Sequence, residues 1–66
     1  MSTTELKILH QITEDKTNGM ISEELGVSQR TVERHISSIL CKLKVDSRVG
    51  AAVKALYDGL VVFSKK

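Results

Sequence analysis

The fold is decided by residues 21–48, which read ISEELGVSQRTVERHISSILCKLKVDSR. Ile21 and Leu25 lie four residues apart, which places both on one face of a helix. Gly26 ends that helix, because glycine adopts the left-handed conformation cheaply, and Ser28 opens the next helix as its N-cap. Two helices joined by so short a segment must turn sharply against each other. The spacing therefore predicts a helix-turn-helix.

The second helix of this pair, predicted over residues 29–43, has two different faces. Its apolar stripe comprises Val32, Ile36, Ile39, Leu40 and Leu43. The opposite face comprises Arg30, Glu33, Arg34, Ser37 and Cys41. A helix that is apolar on one side and basic on the other is typical of a recognition helix in the major groove of DNA. The alternative is a plain helical hairpin in a small bundle.

The rest of the chain predicts helices on both sides of this pair. Ser2 and Glu5 have the spacing of a capping box. Thr17 or Asn18 caps the second helix, and Asp46 or Ser47 the fourth. We expect one all-α, four-helix domain over residues 1–66, with a tri-helical, winged-helix-like helix-turn-helix core and a C-terminal helix. The predicted helices cover about 3–14, 18–25, 29–43 and 47–58.

The fourth helix offers two faces, and the core must take one of them. Apolarity favours an inward face made of Val49, Ala52, Val53 and Leu56. Small side chains then remain on a side that the core does not need, and that side is the expected dimer contact. It comprises Ala51, Lys54, Ala55 and Asp58.

Composition restricts the class of protein. The chain has 66 residues, enough for one domain, and a single Cys, so no intrachain disulfide is possible and a reducing cytoplasm is expected. The longest apolar run, residues 60–63, is too short to cross a membrane, and no secretory signal is expected. Residues 1–27 carry two Lys or Arg and five Asp or Glu, whereas residues 28–66 carry eight and three. This basic half favours a polyanionic partner.

Enzymatic chemistry is not indicated. His10, His35 and Cys41 do not have the spacing of metal ligands, and no Gly-rich phosphate loop is present. We therefore expect no enzyme activity, no metal and no cofactor. Cys41 is expected to be an inert, partly exposed thiol.

The outer face of the 29–43 helix supplies candidate DNA contacts. Arg34 can bond guanine in bidentate fashion, Glu33 can accept from cytosine, and Ser37 reaches either kind of base edge. The expected base-reading residues are Arg30, Glu33, Arg34 and Ser37. The expected contacts to the DNA backbone are Ser28, Thr31, His35, Ser38, Lys42 and Lys44. Two alternatives stay open: Glu33 pairs with a neighbouring Arg, and His35 is a half-buried structural side chain.

At this point a family resemblance is visible. From about residue 2 to residue 60 the chain resembles the LuxR-type, or GerE-type, helix-turn-helix domain of bacterial transcription regulators. The most specific positions are Val27, Ser28, Thr31, Val32, His35, Ile36, Ile39, Lys42, Leu43, Val45, Ser47, Arg48, Ala51, Ala52 and Val53. The resemblance implies sequence-specific binding of double-stranded DNA, with the third helix reading the groove, and regulation of transcription.

The resemblance also implies partners. Members of this family bind DNA as homodimers, with the fourth helix at or near the contact. Many are output domains attached to an N-terminal receiver or ligand-sensing domain, and RNA polymerase is a further candidate partner; no membrane partner is expected. Six positions depart from the family pattern. Glu33 stands where Lys is commonest, and Gly19 and Met20 replace Lys-Glu. Ser22 replaces a small apolar residue and needs a hydrogen-bond partner, and Leu6 and Lys7 interrupt the opening Thr-x-x-Glu-x-Glu pattern.

Two rival functions remain at the level of sequence. A sigma region-four-like module also uses a tight helix-turn-helix on promoter DNA, although the continuation through Ser47 and Arg48 argues against it. A protein-interaction module with this fold and little DNA affinity is favoured slightly by Glu33 and opposed by Arg30 and Arg34. Salt-dependent binding to DNA separates the protein-interaction module from a DNA-binding regulator.

Overall fold

The computed structural model describes residues 1–61, which form four α-helices. They are α1 (Thr3–Thr13), α2 (Asn18–Leu25), α3 (Gln29–Leu43) and α4 (Arg48–Tyr57). No strand occurs in this part of the chain. The predicted all-α, four-helix class is confirmed, and each helix end lies within one residue of the expected position. Residues 62–66, and with them the expected end of the domain, lie outside the described residues.

Each helix begins at a hydroxyl side chain that accepts a hydrogen bond from the backbone N–H three residues later. The caps are Ser2, Thr17, Ser28 and Ser47. At Ser2 the bond is reciprocal, because its own backbone N–H donates to the Glu5 carboxylate at 3.1 Å, which confirms the capping box. These local bonds satisfy amide groups that a helix start otherwise leaves unpaired.

The helix ends need a residue in the left-handed conformation, and glycine supplies it at only two of them. Gly26 ends α2 at φ 70° and Gly59 follows α4 at φ 75°. After α1 the same position is taken by Asp15 at φ 62°, and after α3 by Lys44 at φ 59°. A side chain in this conformation carries a steric cost that glycine does not. Two of the four helix ends are therefore strained.

The core is centred on α3, which packs against each of the other three helices. Its buried stripe is Val32, Ile36, Ile39 and Leu43, with Leu40 partly buried, as its apolar spacing predicted. The other helices contribute Ile8, Leu9, Ile12, Ile21, Ala51 and Ala55, and Val61 closes the core after α4. Because α3 is buried along one side, its orientation is fixed by the whole domain.

The inward face predicted for α4 was wrong. Ala51 and Ala55 are the buried residues, both with 0% exposure, while Val49 and Val53 are exposed. Apolarity alone favoured the valines, but Ala51 and Ala55 are the α4 side chains that belong to the buried core cluster. Small residues take the inner face, and the large apolar ones point outward.

This reversal also corrects the expected dimer contact. Ala51 and Ala55 lie inside the monomer, so they cannot meet a second copy. Lys54 and Asp58 are exposed and pair with each other at 3.4 Å within the helix. The large exposed apolar side chains on and just after α4 are Val49, Val53, Leu56, Tyr57 and Leu60. None of the helices in residues 1–61 has the length and apolarity that crossing a bilayer requires.

Asp15→Gly is expected to stabilise the domain. Asp15 is exposed and holds a left-handed backbone that glycine adopts without strain, so the free energy of unfolding should rise by about 1 kcal/mol. For a domain of this size that raises the thermal midpoint by roughly 4–8 °C, measurable by circular dichroism. Asp46→Gly is the matched control: it removes the same charge where φ is not positive, and it should give no such rise. An equal effect of both variants would contradict the strain argument.

Candidate nucleic-acid interface

The turn between α2 and α3 sets the angle between these two helices. Gly26 is left-handed, and the backbone N–H of Val27 donates to the Ser22 carbonyl at 3.1 Å. Buried Ser22 donates its hydroxyl to the Gly19 carbonyl at 2.8 Å, which meets the need for a partner noted from the sequence. The turn is therefore held by hydrogen bonds to backbone carbonyls, while the side chain of Val27 is 40% exposed.

The outer face of α3 is open to solvent. Arg30, Glu33, Arg34 and Ser37, the expected base-reading residues, are all exposed, and so is Cys41. Glu33 forms no salt bridge with Arg30 or Arg34 in the described chain. These side chains stand opposite the buried stripe, so they can meet a ligand without any change in the core.

The expected backbone contacts divide into two groups. Ser28, Lys42 and Lys44 are exposed, whereas Thr31, His35 and Ser38 are half-buried. The half-buried residues line a depression between α3 and the N-terminal end of α1, together with Arg34 and Glu5. The depression follows the flank of α3, where a phosphate backbone would pass if the helix lay in a groove.

Glu5 joins α1 to α3 through a buried carboxylate. Its Oε1 accepts from the Nζ of Lys42 at 2.7 Å, and its Oε2 accepts from the hydroxyl of Ser38 at 2.9 Å. The hydrogen bond from Lys42, then those from Ser2 and Ser38, lower the pKa of Glu5 from its ordinary 4.5 to about 2. The carboxylate is therefore charged at neutral pH.

Only the contact between Ser2 and Glu5 could be predicted from the sequence. The capping box predicted Glu5 from residues three apart, but Ser38 and Lys42 lie 33 and 37 residues away. One feature of the sequence could have indicated this cluster. Ser38 and Lys42 are four residues apart on one flank of α3, so a single carboxylate can bond both.

Several basic side chains are already engaged. Arg48 donates to the Asn18 side chain at 2.7 Å and to the Lys16 carbonyl at 2.8 Å. It therefore joins the start of α4 to the start of α2 and the loop before it. Lys54 is paired with Asp58. On α3 and its C-cap, the described cations without a salt bridge are Arg30, Arg34 and Lys44.

Comparison with known proteins identifies the family of this chain. Residues 1–55 match the family model described as bacterial regulatory proteins, luxR family. The chain belongs to that family. That family consists of bacterial regulatory proteins and is not an enzyme class. The fold agrees, since a solved structure described as transcription factor GerE superposes with a TM-score of 0.91 at 30% identity, covering 97% of this chain and 96% of that one.

Relatives show the same family in longer proteins. The chain is 51% identical over 57 residues to the transcriptional regulatory protein LiaR of Bacillus subtilis, covering 86% of this chain and 27% of the relative. It is 39% identical over 57 residues to the transcriptional regulatory protein DegU of Brevibacillus brevis, covering 86% of this chain and 24% of the relative. The chain thus spans about a quarter of the length of these curated relatives.

The low pKa of Glu5 predicts a loss of stability in acid. Its pKa is about 2 in the folded chain and near 4.5 when unfolded, so its contribution is complete above pH 4.5. That contribution should be lost as the pH falls from about 4.5 to 2. Glu5→Gln should lack this component, since an amide does not titrate. Urea unfolding at intervals across this range tests it, and equal pH dependence in both proteins would contradict it.

Proposed function

We propose that the domain binds double-stranded DNA in a sequence-specific manner, with α3 lying in the major groove. The exposed face of α3 carries this proposal. Arg30, Glu33, Arg34 and Ser37 are exposed there, and none of them forms a salt bridge within residues 1–61. Arginine is suited to bidentate bonds with guanine and glutamate to the amino group of cytosine. Because Glu33 is anionic, it also disfavours sequences that offer it only acceptors.

Contacts to the DNA backbone would flank these base contacts. Ser28, Thr31 and His35 follow helical spacing along one flank of α3 and present donors there. Lys44 is exposed at the C-cap of the helix. Lys44 is suited to a phosphate, because it is exposed and forms no salt bridge with another described residue. Lys42 and Ser38 lie on that flank too, but Glu5 already holds both.

We also propose that two copies pair on DNA through the outer face of α4. Val49, Val53 and Leu56 recur on α4 at intervals of four and three residues, which is the spacing of a helix–helix seam. Leu60 is a further exposed apolar residue just after the helix. Val53 is 61% exposed, and Tyr57 beside it is 89% exposed. A small domain gains stability by burying such a stripe, and pairing would place two copies of α3 on two half-sites.

The remaining partners follow from the relatives rather than from this surface. Relatives more than three times as long are transcriptional regulatory proteins, which supports an N-terminal receiver or ligand-sensing domain in the intact regulator. Contact with RNA polymerase is a further proposal. A protein that acts on bacterial DNA would reside in the cytoplasm.

Replacing Arg34 and Lys44 should have different effects on DNA binding. Arg34→Ala should weaken the selected site by about 1–3 kcal/mol and relax the preference at one base pair. Lys44→Ala should weaken all sequences alike and make the dependence of log K on log salt shallower by about 0.9. Selection from random double-stranded DNA, followed by salt titrations, measures both. No enriched site and no salt-dependent binding by the unaltered protein would favour the protein-interaction module.

Val53→Gln should weaken pairing on DNA. The substitution places a polar group in the proposed seam, so binding to two inverted half-sites should lose cooperativity while binding to one half-site is kept. Sedimentation of the complex on two-half-site DNA gives the stoichiometry. Met20→Gln is the control, since it makes a similar change at an exposed residue of α2. One copy per two-half-site DNA in the unaltered protein would contradict pairing.

A further inference from the structure

Lys42 lies on the flank of α3 where we expect the DNA backbone, but its ammonium group contacts α1. Its side chain is 50% exposed, yet its Nζ lies 2.7 Å from the Oε1 of Glu5, whose side chain is only 6% exposed. A short contact between an ammonium and a carboxylate is a charge-assisted hydrogen bond. The chain thus keeps the Lys42 ammonium at the N-terminal end of α1 instead of letting it extend from α3.

Ser38 is held in the same way. A hydroxyl has one proton, and that of Ser38 is donated to the Oε2 of Glu5 at 2.9 Å. A phosphate oxygen is an acceptor and needs a donor, so Ser38 has none to offer while this bond lasts. Two of the residues expected to contact DNA backbone are therefore bound to a single internal carboxylate.

We propose that Glu5 is a positioning residue that limits the electrostatic affinity of α3 for DNA by withholding Lys42 and Ser38 from the phosphates. The inference rests on the proposed function, since it concerns the DNA side of α3. Lys42 and Glu5 together carry no net charge. Binding such a pair beside a phosphate releases no counterion, and the carboxylate itself repels the phosphate.

The location of Glu5 supports this effect. Its carboxylate lies in the wall of the depression that Thr31, Arg34 and His35 also line. A phosphate placed there would meet the cation of Arg34 and the anion of Glu5 together. Glu5 therefore acts both on Lys42, by direct contact, and on the local potential of the surface.

Salt titrations of the protein and two variants test the proposal. Glu5→Gln frees Lys42, so the slope of log K against log salt should become steeper by about 0.9, the value for one added phosphate contact. Affinity for DNA of any sequence should then gain about 3–4-fold more at 50 mM salt than at 200 mM. The double variant E5Q/K42Q removes both charges and leaves none unpaired, so its slope should equal that of the unaltered protein.

Glu14→Gln is the matched control. It makes the same charge change on the same helix, nine residues further along, which is about 13 Å at the helical rise per residue. That distance exceeds the screening length of about 8 Å at physiological salt. This variant should leave the slope unchanged, and a merely structural loss at Glu5 would lower affinity without making the slope steeper.

Two results would overturn the proposal. The first is a slope for Glu5→Gln that is equal to or shallower than that of the unaltered protein. The second is a double variant whose slope is shallower by about 0.9, because Lys42 would then already contact a phosphate. If circular dichroism shows that Glu5→Gln alone does not fold, the comparison of the double variant with the unaltered protein decides. Absence of salt-dependent binding by the unaltered protein would instead refute the proposed function.

Discussion

The structure depends on one helix having two roles. One side of α3 is buried against α1, α2 and α4, and the other side carries the exposed Arg30 and Arg34. Each buried residue of the stripe therefore fixes the direction of the exposed side chains between them. Any change that tilts α3 in the core therefore also redirects the face that we propose meets DNA.

The parts of the fold that sequence could predict are those set by neighbours in the chain. Ser28 and Gly26 determined the turn, and the spacing of Val32, Ile36 and Ile39 determined the inner face of α3. These features depend on residues three or four apart, which helix geometry relates directly. The exposed positions of Arg34 and Ser37 followed from the same periodicity.

The features that the sequence predicted wrongly, or did not predict, are contacts between segments that are distant in the chain. Hydrophobicity favoured Val49 and Val53 for the core, but the assembled domain buries Ala51 and Ala55 instead. Likewise, no local pattern placed Glu5 against Lys42, since 37 residues separate them. The distance between packed helices is a property of the assembled domain, and a single sequence does not state it.

In α4 the small side chains are buried and the large apolar ones are exposed, and this has a consequence for how such domains diversify. Ala51 and Ala55 hold the helix in place, while Val53 and Tyr57 take no part in that attachment. The outer residues can therefore change without altering the seating of α3. Under the proposed pairing through α4, a lineage can therefore alter which copies associate, and so the spacing of the half-sites, without altering the proposed base-reading face of α3.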